Sequence, residues 1–87
     1  MIERRLEIVN ERGLHARAAA KLVSLVGDFR SRVTVSKDGT SVAGDSILGL
    51  MTLSASQGSV IVISVEGPDE AAAAAAIAAL ISGGFNE

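Results

Sequence analysis

The hydrophobic pattern of the first part of the chain changes its period once, from two residues to about 3.6. Over residues 2–8, apolar side chains alternate with charged ones, which predicts a β-strand with one buried face, although Arg4 breaks the apolar row. Over residues 19–26, apolar side chains recur at helical spacing. We therefore predict a helix that begins near His15 and ends at Gly27, which is followed by an aspartate.

The middle of the chain predicts a hairpin and a short helix. Residues 32–36 and 40–43 are two short extended segments, and the Asp-Gly pair at 38–39 between them is a strong hairpin signal. Ser46 then precedes an apolar i, i+3, i+4 stripe, so we expect its hydroxyl to cap a second helix.

The last third of the chain predicts a central strand and a long helix. Residues 59–65 are β-branched and nearly apolar on both faces, which is typical of a strand inside a sheet. A turn at Gly67 follows, and Asp69 is placed to cap a helix through the alanine-rich residues 71–81. The glycine pair at 83–84 is expected to end this helix.

The resulting order of elements is strand, helix, strand, strand, helix, strand, helix (βαββαβα). The connections are short, and the strands are too few to close a barrel. The arrangement that fits is an α+β open-faced sandwich, in which three helices cover one face of a four-stranded antiparallel sheet. No repeat or linker divides the chain, so we expect a single domain over residues 1–87.

The composition narrows the possible functions. The chain has 87 residues, no cysteine, one histidine and two phenylalanines as its only aromatic residues. These counts argue against thiol and zinc chemistry, and against the aromatic platforms that bind nucleic acid. We expect no metal, no cofactor and no nucleic-acid partner.

The longest charge-free stretch, residues 46–65, has the length of a membrane span. Serine, threonine, glutamine and glycine interrupt it repeatedly, so insertion would leave many polar groups in hydrocarbon. The first residues lack the apolar segment of a signal peptide. We expect a cytoplasmic protein that does not insert into a membrane.

The charges are unevenly distributed along the chain. All eight lysines and arginines lie within residues 1–37, which carry a net charge of +4, while residues 38–87 carry six acids and no base. Folding either mixes these halves on a solvated surface or creates a basic face for an acidic partner or an anion. The sequence leaves both interpretations open.

The candidate chemistry lies around His15. This histidine stands between a loop containing Gly13 and the predicted first helix, where first-turn N–H groups are unpaired and the helix dipole is positive. A phosphoryl group on the imidazole would meet backbone donors at Ala16 and Ala18 and the guanidinium of Arg17.

A lone histidine at a helix start is not specific to group transfer, because such a residue also serves as a cap, a solvated group or a partner contact. No second histidine, cysteine or phosphate loop accompanies His15 to complete a hydrolase or kinase site. The chemistry therefore favours a carrier of a group over a turnover enzyme.

Two segments resemble a known family. Residues 13–17 have the sequence GLHAR and follow Asn10, and they are similar to the active-site signature of the histidine-containing phosphocarrier (HPr) proteins of the phosphoenolpyruvate-dependent phosphotransferase system. Residues 46–51, followed by Leu53, are similar to the regulatory-serine segment of that family. The resemblance in length and element order covers essentially the whole chain.

The resemblance implies roles for the residues of the first segment. His15 would be phosphorylated on its pros nitrogen, Nδ1, by enzyme I, which takes the phosphoryl group from phosphoenolpyruvate, and would pass it to a IIA-type protein. Arg17 would stabilise the charge of the phosphoryl group, in agreement with its position beside the histidine.

The resemblance also implies docking and regulatory residues. Leu14, Leu48 and Met51 would form an apolar docking patch beside the site, whereas Leu50 is equally compatible with the core. Ser46 would be phosphorylated by an HPr kinase/phosphorylase, and its negative charge would repel an acidic docking face on enzyme I.

The sequence departs from the common family pattern at Ala18, where most carriers of the sugar branch have proline. Alanine restores an N–H donor at the anion site, and helix formation does not require the proline. We expect the site to work with Ala18. The histidine segment also resembles the nitrogen-related (NPr-like) branch, whose output is regulatory, so the branch stays open.

Two other functional classes are compatible with parts of the sequence. In a regulatory binding module, the phosphorylation state of His15 or Ser46 would select partners without transport. An enzyme with an unrecognised substrate is disfavoured, because no acid, base or metal group accompanies His15. We expect a monomer, since a small domain that docks several partners through one face needs that face free.

Overall fold

The computed structural model describes residues 1–87 and contains four strands and three helices. The strands are β1 (Ile2–Glu7), β2 (Arg32–Lys37), β3 (Thr40–Ala43) and β4 (Val60–Glu66). The helices are α1 (Ala16–Val26), α2 (Ile47–Thr52) and α3 (Glu70–Ser82), and a short 3-10 turn follows at Gly84–Asn86. This order confirms the predicted βαββαβα succession of strands and helices.

The strands form one sheet in the order β1-β4-β2-β3, with every neighbouring pair antiparallel. β4 lies inside the sheet, as its apolar composition predicts. Its residues Ile61, Ile63 and Val65 are fully buried, while Val62 and Ser64 on the opposite face are half-buried. The helices cover the buried face, which confirms the α+β open-faced sandwich.

The core between sheet and helices is aliphatic apart from one phenylalanine, Phe85. Helix α3 packs on β1 and β4 and against α1. Its buried residues include Ala73 and Ala74 beside the larger Ile77 and Ile81. Because alanine adds only a methyl group, the helix backbone can approach its neighbours closely there.

A two-residue turn joins β2 and β3. Asp38 and Gly39 both have positive φ, 51° and 85°, as a type I′ turn requires and as the Asp-Gly pair favours. Lys37 pairs with Thr40 on either side of the turn. The predicted hairpin is confirmed.

The start of α3 differs from the prediction. Asp69 occupies the N-cap position, but its side chain makes no cap hydrogen bond. Its carboxylate instead accepts a bond from the N–H of Arg30 at 2.9 Å and from the hydroxyl of Ser31 at 2.6 Å. The predicted cap is wrong because both carboxylate oxygens are engaged by the loop before β2, which Asp69 ties to α3.

Helix α3 is the longest helix, with 13 residues, and it ends before the glycine pair at 83–84 as predicted. A membrane-spanning helix needs about 20 residues. No helix in the structure has both the length and the apolar character to cross a bilayer.

Candidate functional site

The loop before α1 is fixed by Asn10 and Gly13. The buried Asn10 donates from Nδ2 to the carbonyl oxygen of Gly13 at 2.8 Å, and the N–H of Gly13 donates to the carbonyl of Asn10 at 3.1 Å. The next residue, Leu14, donates its N–H to the carbonyl of Ala55 at 2.8 Å. These bonds hold the chain in place where it enters the helix.

His15 is itself the N-cap of α1. Its backbone is extended, with φ −80° and ψ 179°, and its Nδ1 accepts a hydrogen bond from the N–H of Arg17 at 3.2 Å. The carbonyl of His15 accepts the N–H of Ala19 at 2.8 Å as the helix begins. The predicted start of the helix near His15 is confirmed, and the imidazole is turned toward the first-turn N–H groups.

The two ring nitrogens of His15 have different partners. Nδ1 accepts a hydrogen bond, so it carries a lone pair. Nε2 contacts the carboxylate of Glu87, which can only accept, so we assign the ring proton to Nε2. The resting imidazole therefore presents Nδ1 as its nucleophilic nitrogen.

Three basic side chains and one carboxylate line a cavity near the site. Arg12, Arg17 and Lys21 line a shallow cavity of about 260 Å³ together with Asn86 and Glu87. The guanidinium of Arg17 is exposed and makes no hydrogen bond or ion pair within the chain. It is therefore available to an anion beside the helix start.

The predicted phosphoryl-binding N–H groups differ in their surroundings. The N–H of Arg17 is engaged by Nδ1 of His15 in this state. The N–H groups of Ala16 and Ala18 donate to no acceptor of the chain. Ala16 is exposed, whereas Ala18 is fully buried, so the two unpaired donors are not equally open to an anion arriving from solvent.

The apolar surface near α2 differs from the expected docking patch. Leu48 and Met51 are 77% and 41% exposed, and Ile47 beside them is 39% exposed. Leu14, expected in the patch, is instead only 6% exposed and belongs to the hydrophobic core. The exposed apolar patch therefore consists of Ile47, Leu48 and Met51, since Leu14 packs into the core instead.

Ser46 caps α2 as predicted. Its Oγ accepts the N–H of Gly49 at 3.0 Å, and its backbone is extended, with φ −116° and ψ 110°. The residue is half-buried. Leu50, for which core packing was an open interpretation, is fully buried.

The residues after α3 contribute to the site, although no pattern in the sequence predicts this. The carboxylate of Glu87 contacts Nε2 of His15 and accepts a bond from Nδ2 of Asn10 at 3.1 Å. Both contacts, that of His15 most, hold the pKa of the Glu87 carboxyl below its usual range. Lys21 donates from Nζ to the carbonyl of Phe85 at 2.6 Å. No local pattern signals these contacts, since their partners are far apart in the sequence.

The structure contains no cluster of potential metal ligands. No group of three or more histidine, aspartate or glutamate side chains is placed to hold a metal ion. The polar groups that the structure brings together at the site are the imidazole of His15, the guanidinium of Arg17, the carboxylate of Glu87 and first-turn N–H groups.

The sequence and structure both match known proteins. The family described as "PTS HPr component phosphorylation site" matches residues 2–83. Phosphocarrier protein HPr of Cupriavidus necator is 46% identical over 87 residues, which cover 100% of this chain and 98% of that protein. Phosphocarrier protein NPr of Proteus mirabilis is 44% identical over 85 residues, covering 97% of this chain and 94% of that protein.

Two solved structures also match this chain over its whole length. HPr-C-His of Thermoanaerobacter tengcongensis superimposes with a TM-score of 0.95 at 45% identity, covering 100% of this chain and 98% of that chain. An HPr dimer from the same organism matches with a TM-score of 0.79 at 45% identity, covering 100% of both chains. The histidine at a helix start, the fold and these matches together show that the chain belongs to the HPr family of the phosphotransferase system.

Proposed function

We propose that this chain carries a phosphoryl group on Nδ1 of His15, accepting it from phospho-enzyme I and passing it to a IIA-type protein. The observation that carries the proposal is the position of His15 at the N-cap of α1, where Nδ1 holds a lone pair beside first-turn N–H groups. In the HPr family such a histidine receives the group that originates in phosphoenolpyruvate.

The transfer needs no base or metal on this protein. The lone pair of Nδ1 attacks phosphorus, and the electron pair of the broken bond leaves with the donor. The proton on Nε2 stays in place. The N–H of Arg17, released from Nδ1, and the guanidinium of Arg17 then face the phosphoryl oxygens and offset their charge. The chain is in this account a carrier and not a turnover enzyme.

The docking surface combines charge and apolar area. The apolar patch of Ile47, Leu48 and Met51 lies on α2, which packs against α1. Arg12, Arg17 and Lys21 supply positive charge around the site. A partner with an acidic rim and an apolar centre, as we propose for enzyme I and the IIA-type protein, complements both features.

A second function is a regulatory module whose partners depend on phosphorylation. The chain matches an HPr protein and an NPr protein at nearly the same identity, which supports this second function. Phosphorylation of Ser46 by an HPr kinase/phosphorylase would add charge at the start of α2, beside the apolar patch. Either sugar uptake or nitrogen-related regulation would use the same chemistry at His15.

We propose that the chain works as a monomer in the cytoplasm, where enzyme I and phosphoenolpyruvate are present. Docking of two successive partners through one face is simplest when no second copy covers it. Size-exclusion chromatography with light scattering tests this, because an HPr relative forms a dimer. A dimer that dissociates when enzyme I is added would contradict the proposal that the free chain is a monomer.

Intact-mass spectrometry tests the carrier function. The chain is incubated with enzyme I and phosphoenolpyruvate and measured at neutral to alkaline pH, beside a His15→Ala variant and an acid-treated sample. We expect one acid-labile phosphoryl group on the wild-type chain and none on the variant. Loss of the group on adding a IIA-type protein would complete the relay, whereas an unchanged mass with active enzyme I would refute it.

A further inference from the structure

The strand β1 leaves one edge of the sheet unpaired. It is the last strand in the sheet order and pairs with β4 alone. In an antiparallel pair, the backbone groups of successive residues point alternately toward and away from the partner strand. The N–H of Ile8 points toward β4, since it donates to the carbonyl of Ser59 at 2.8 Å. The N–H and carbonyl groups of Glu3, Arg5 and Glu7 therefore point outward, and we call them the free edge.

The apolar side chains of β1 make that edge suited to pairing. Ile2 and Leu6 lie in the core-facing row of the strand, opposite the buried Val65 and Ile61, but are themselves only partly buried. Unpaired backbone beside partly exposed apolar side chains is a template for a further strand. Arg4 stands between Ile2 and Leu6 in the same row and is exposed. It is the residue that breaks the apolar pattern of the strand.

The β1 strand of a second copy fits the free edge in one register. In a two-fold symmetric antiparallel pair centred on Arg4, Glu3 of each copy lies opposite Arg5 of the other. Ile2 of each copy lies opposite Leu6. Both contacts are favourable, the first through opposite charges and the second through apolar contact.

The other registers of such a pair are less favourable. A pair centred on Glu3 or on Arg5 places that residue opposite its own copy, so that two like charges meet. A pair centred on Leu6 aligns only residues 5–7 of β1, because the strand ends at Glu7. The register centred on Arg4 is therefore the one in which most of the strand is complementary to itself.

Arg4 opposes this favourable register. The two copies of Arg4 would face each other at a non-hydrogen-bonded position, where the Cα atoms of an antiparallel pair are about 4.5 Å apart. Like charges placed directly opposite each other destabilise the pair. Within the chain, Nη1 of Arg4 also donates to the carbonyl oxygen of Glu3 at 3.3 Å, so it occupies an acceptor of the free edge.

We propose that the free edge of β1 is complementary to the same edge of a second copy, and that Arg4 is the residue that prevents the two copies from pairing there. The inference supplies a physical reason for the proposed monomer. It is independent of phosphoryl transfer, because β1 ends before the loop that carries His15.

Light scattering over a range of concentrations tests the proposal on Arg4→Val. Valine completes the apolar row and removes the like charges. We expect this variant to form a dimer at concentrations about tenfold or more below any at which the wild type associates. Amide spectra of each variant establish that the fold is retained.

Two variants serve as matched controls. Arg5→Val makes the same replacement at an exposed residue on the opposite face of the sheet, and it removes a favourable pair instead of a repulsive one. Arg4→Glu keeps like charges at the centre of the register with the opposite sign. We expect both variants to remain monomers. A dimer of Arg5→Val as strong as that of Arg4→Val would overturn the specific role of Arg4.

A charge exchange tests the register. Adding Arg5→Glu to Arg4→Val places two carboxylates opposite each other, so we expect the dimer to be lost. Adding Glu3→Arg as well restores opposite charges, so we expect the dimer to return. A dimer that is equally strong with and without Arg5→Glu would overturn the proposed register.

Amide hydrogen exchange locates the contact. In the wild type, the outward N–H groups of Glu3 and Arg5 should exchange fast, whereas that of Leu6, which faces β4, should be protected. In the Arg4→Val dimer, we expect exchange at Glu3 and Arg5 to slow about tenfold or more. Fast exchange at both residues in that dimer would place the contact elsewhere and overturn the proposal.

These measurements separate the possible failures. An Arg4→Val chain that stays monomeric over the whole range would overturn the role of Arg4 and leave the proposed monomer intact. A wild-type dimer with Glu3 and Arg5 protected would overturn both. A wild-type dimer in which these two amides still exchange fast would overturn the monomer and support the free edge. Phosphorylation of His15 is measured separately by intact mass.

Discussion

At the scale of single residues, Gly13 meets two requirements that a side chain would violate. Its φ of +65° lies in the left-handed region, and a Cβ there would stand 2.4 Å from the carbonyl oxygen of Ala55 and 2.9 Å from Cα of Ser56. The obstructing atoms are backbone, so they cannot rotate away. Gly13 therefore allows the close approach that places His15 at the helix start.

Substitution of Gly13 distinguishes the cost of an unfavourable φ from the cost of a steric overlap with neighbouring backbone. We expect Gly13→Ala to lower the free energy of unfolding by more than about 2 kcal/mol, because a steric overlap adds to the unfavourable φ. Gly39→Ala is the control, since Gly39 has φ +85° but no atom within 4 Å of its Cβ position; we expect a loss of about 1 kcal/mol there. Urea denaturation measures both, and equal losses would contradict the account.

Arg17 provides a test of the charge at the site. Its guanidinium is free of other partners, so its removal leaves the fold unaffected and removes one source of phosphoryl stabilisation. We expect Arg17→Ala to slow phosphorylation by enzyme I about tenfold or more. Arg32→Ala removes the same charge from an exposed strand residue. Equal slowing in both variants would mean that only net charge matters.

The sequence was most informative about residues whose signals are local. His15 was identifiable because the chain has one histidine and it precedes a helical pattern. Glu87 was not, since its partner lies 72 residues earlier and no pattern links them. Leu14 was misplaced for a related reason: it packs into a core built by residues from distant parts of the chain.

At the scale of elements, the contact between Asp69 and the loop before β2 joins two segments that the sheet does not join directly. Asp69 accepts bonds from Ser31 and from the N–H of Arg30. These bonds lower the pKa of the Asp69 carboxyl from its usual value of 3.8, with the Ser31 hydroxyl as the largest cause. The folded state thus favours the ionised carboxyl.

The sign of the pH dependence follows from that shift. Since the pKa of Asp69 is lower in the folded chain, its stabilisation is complete well above pH 3.8 and is lost as the pH falls through the lowered value. We expect the difference in Tm between wild type and Asp69→Asn to be largest near pH 6 and to shrink toward pH 2.

A second pair of variants controls this measurement. In a Ser31→Ala background the main cause of the pKa shift is absent, so the effect of Asp69→Asn on Tm should depend less on pH. A Tm difference between wild type and Asp69→Asn that stays constant from pH 6 to pH 2 would contradict the role of the ionised carboxylate.

The order of elements could be predicted because each element has its own period and its own stop signal. The Asp-Gly turn, the Ser46 cap and the apolar β4 are encoded within a few residues. Asp69 does not cap α3, because its hydrogen-bond partners come from another part of the chain. Local patterns identify elements, whereas tertiary contacts decide how a polar side chain is used.

At the scale of the whole molecule, folding brings several of the basic residues of the first half of the sequence together on one local surface. Of the eight lysines and arginines, only Lys37 forms an ion pair with a carboxylate, that of Asp38. Arg12, Arg17 and Lys21 line one cavity beside His15. These three bases form a local basic surface, whereas the other five lysines and arginines do not line that cavity.

The apolar patch gives a matched test of docking. We expect Leu48→Asp to raise the Kd for enzyme I at least tenfold, because it places a carboxylate at the most exposed apolar position of the patch. Val60→Asp is the control, since Val60 is a 45% exposed apolar residue of β4, outside the patch. Isothermal titration calorimetry measures both. Equal weakening would show that added negative charge, and not the patch, is responsible.

In the proposed transfer Nδ1 of His15 forms the bond to phosphorus, and NMR of the phosphorylated chain distinguishes the two ring nitrogens. The chain with ¹⁵N-labelled histidine is phosphorylated by enzyme I and phosphoenolpyruvate, and ³¹P and imidazole ¹⁵N spectra are recorded at alkaline pH. We predict one phosphoramidate signal, with ³¹P coupling to Nδ1 and none to Nε2. Coupling to Nε2, or phosphorus on another residue, would contradict the account.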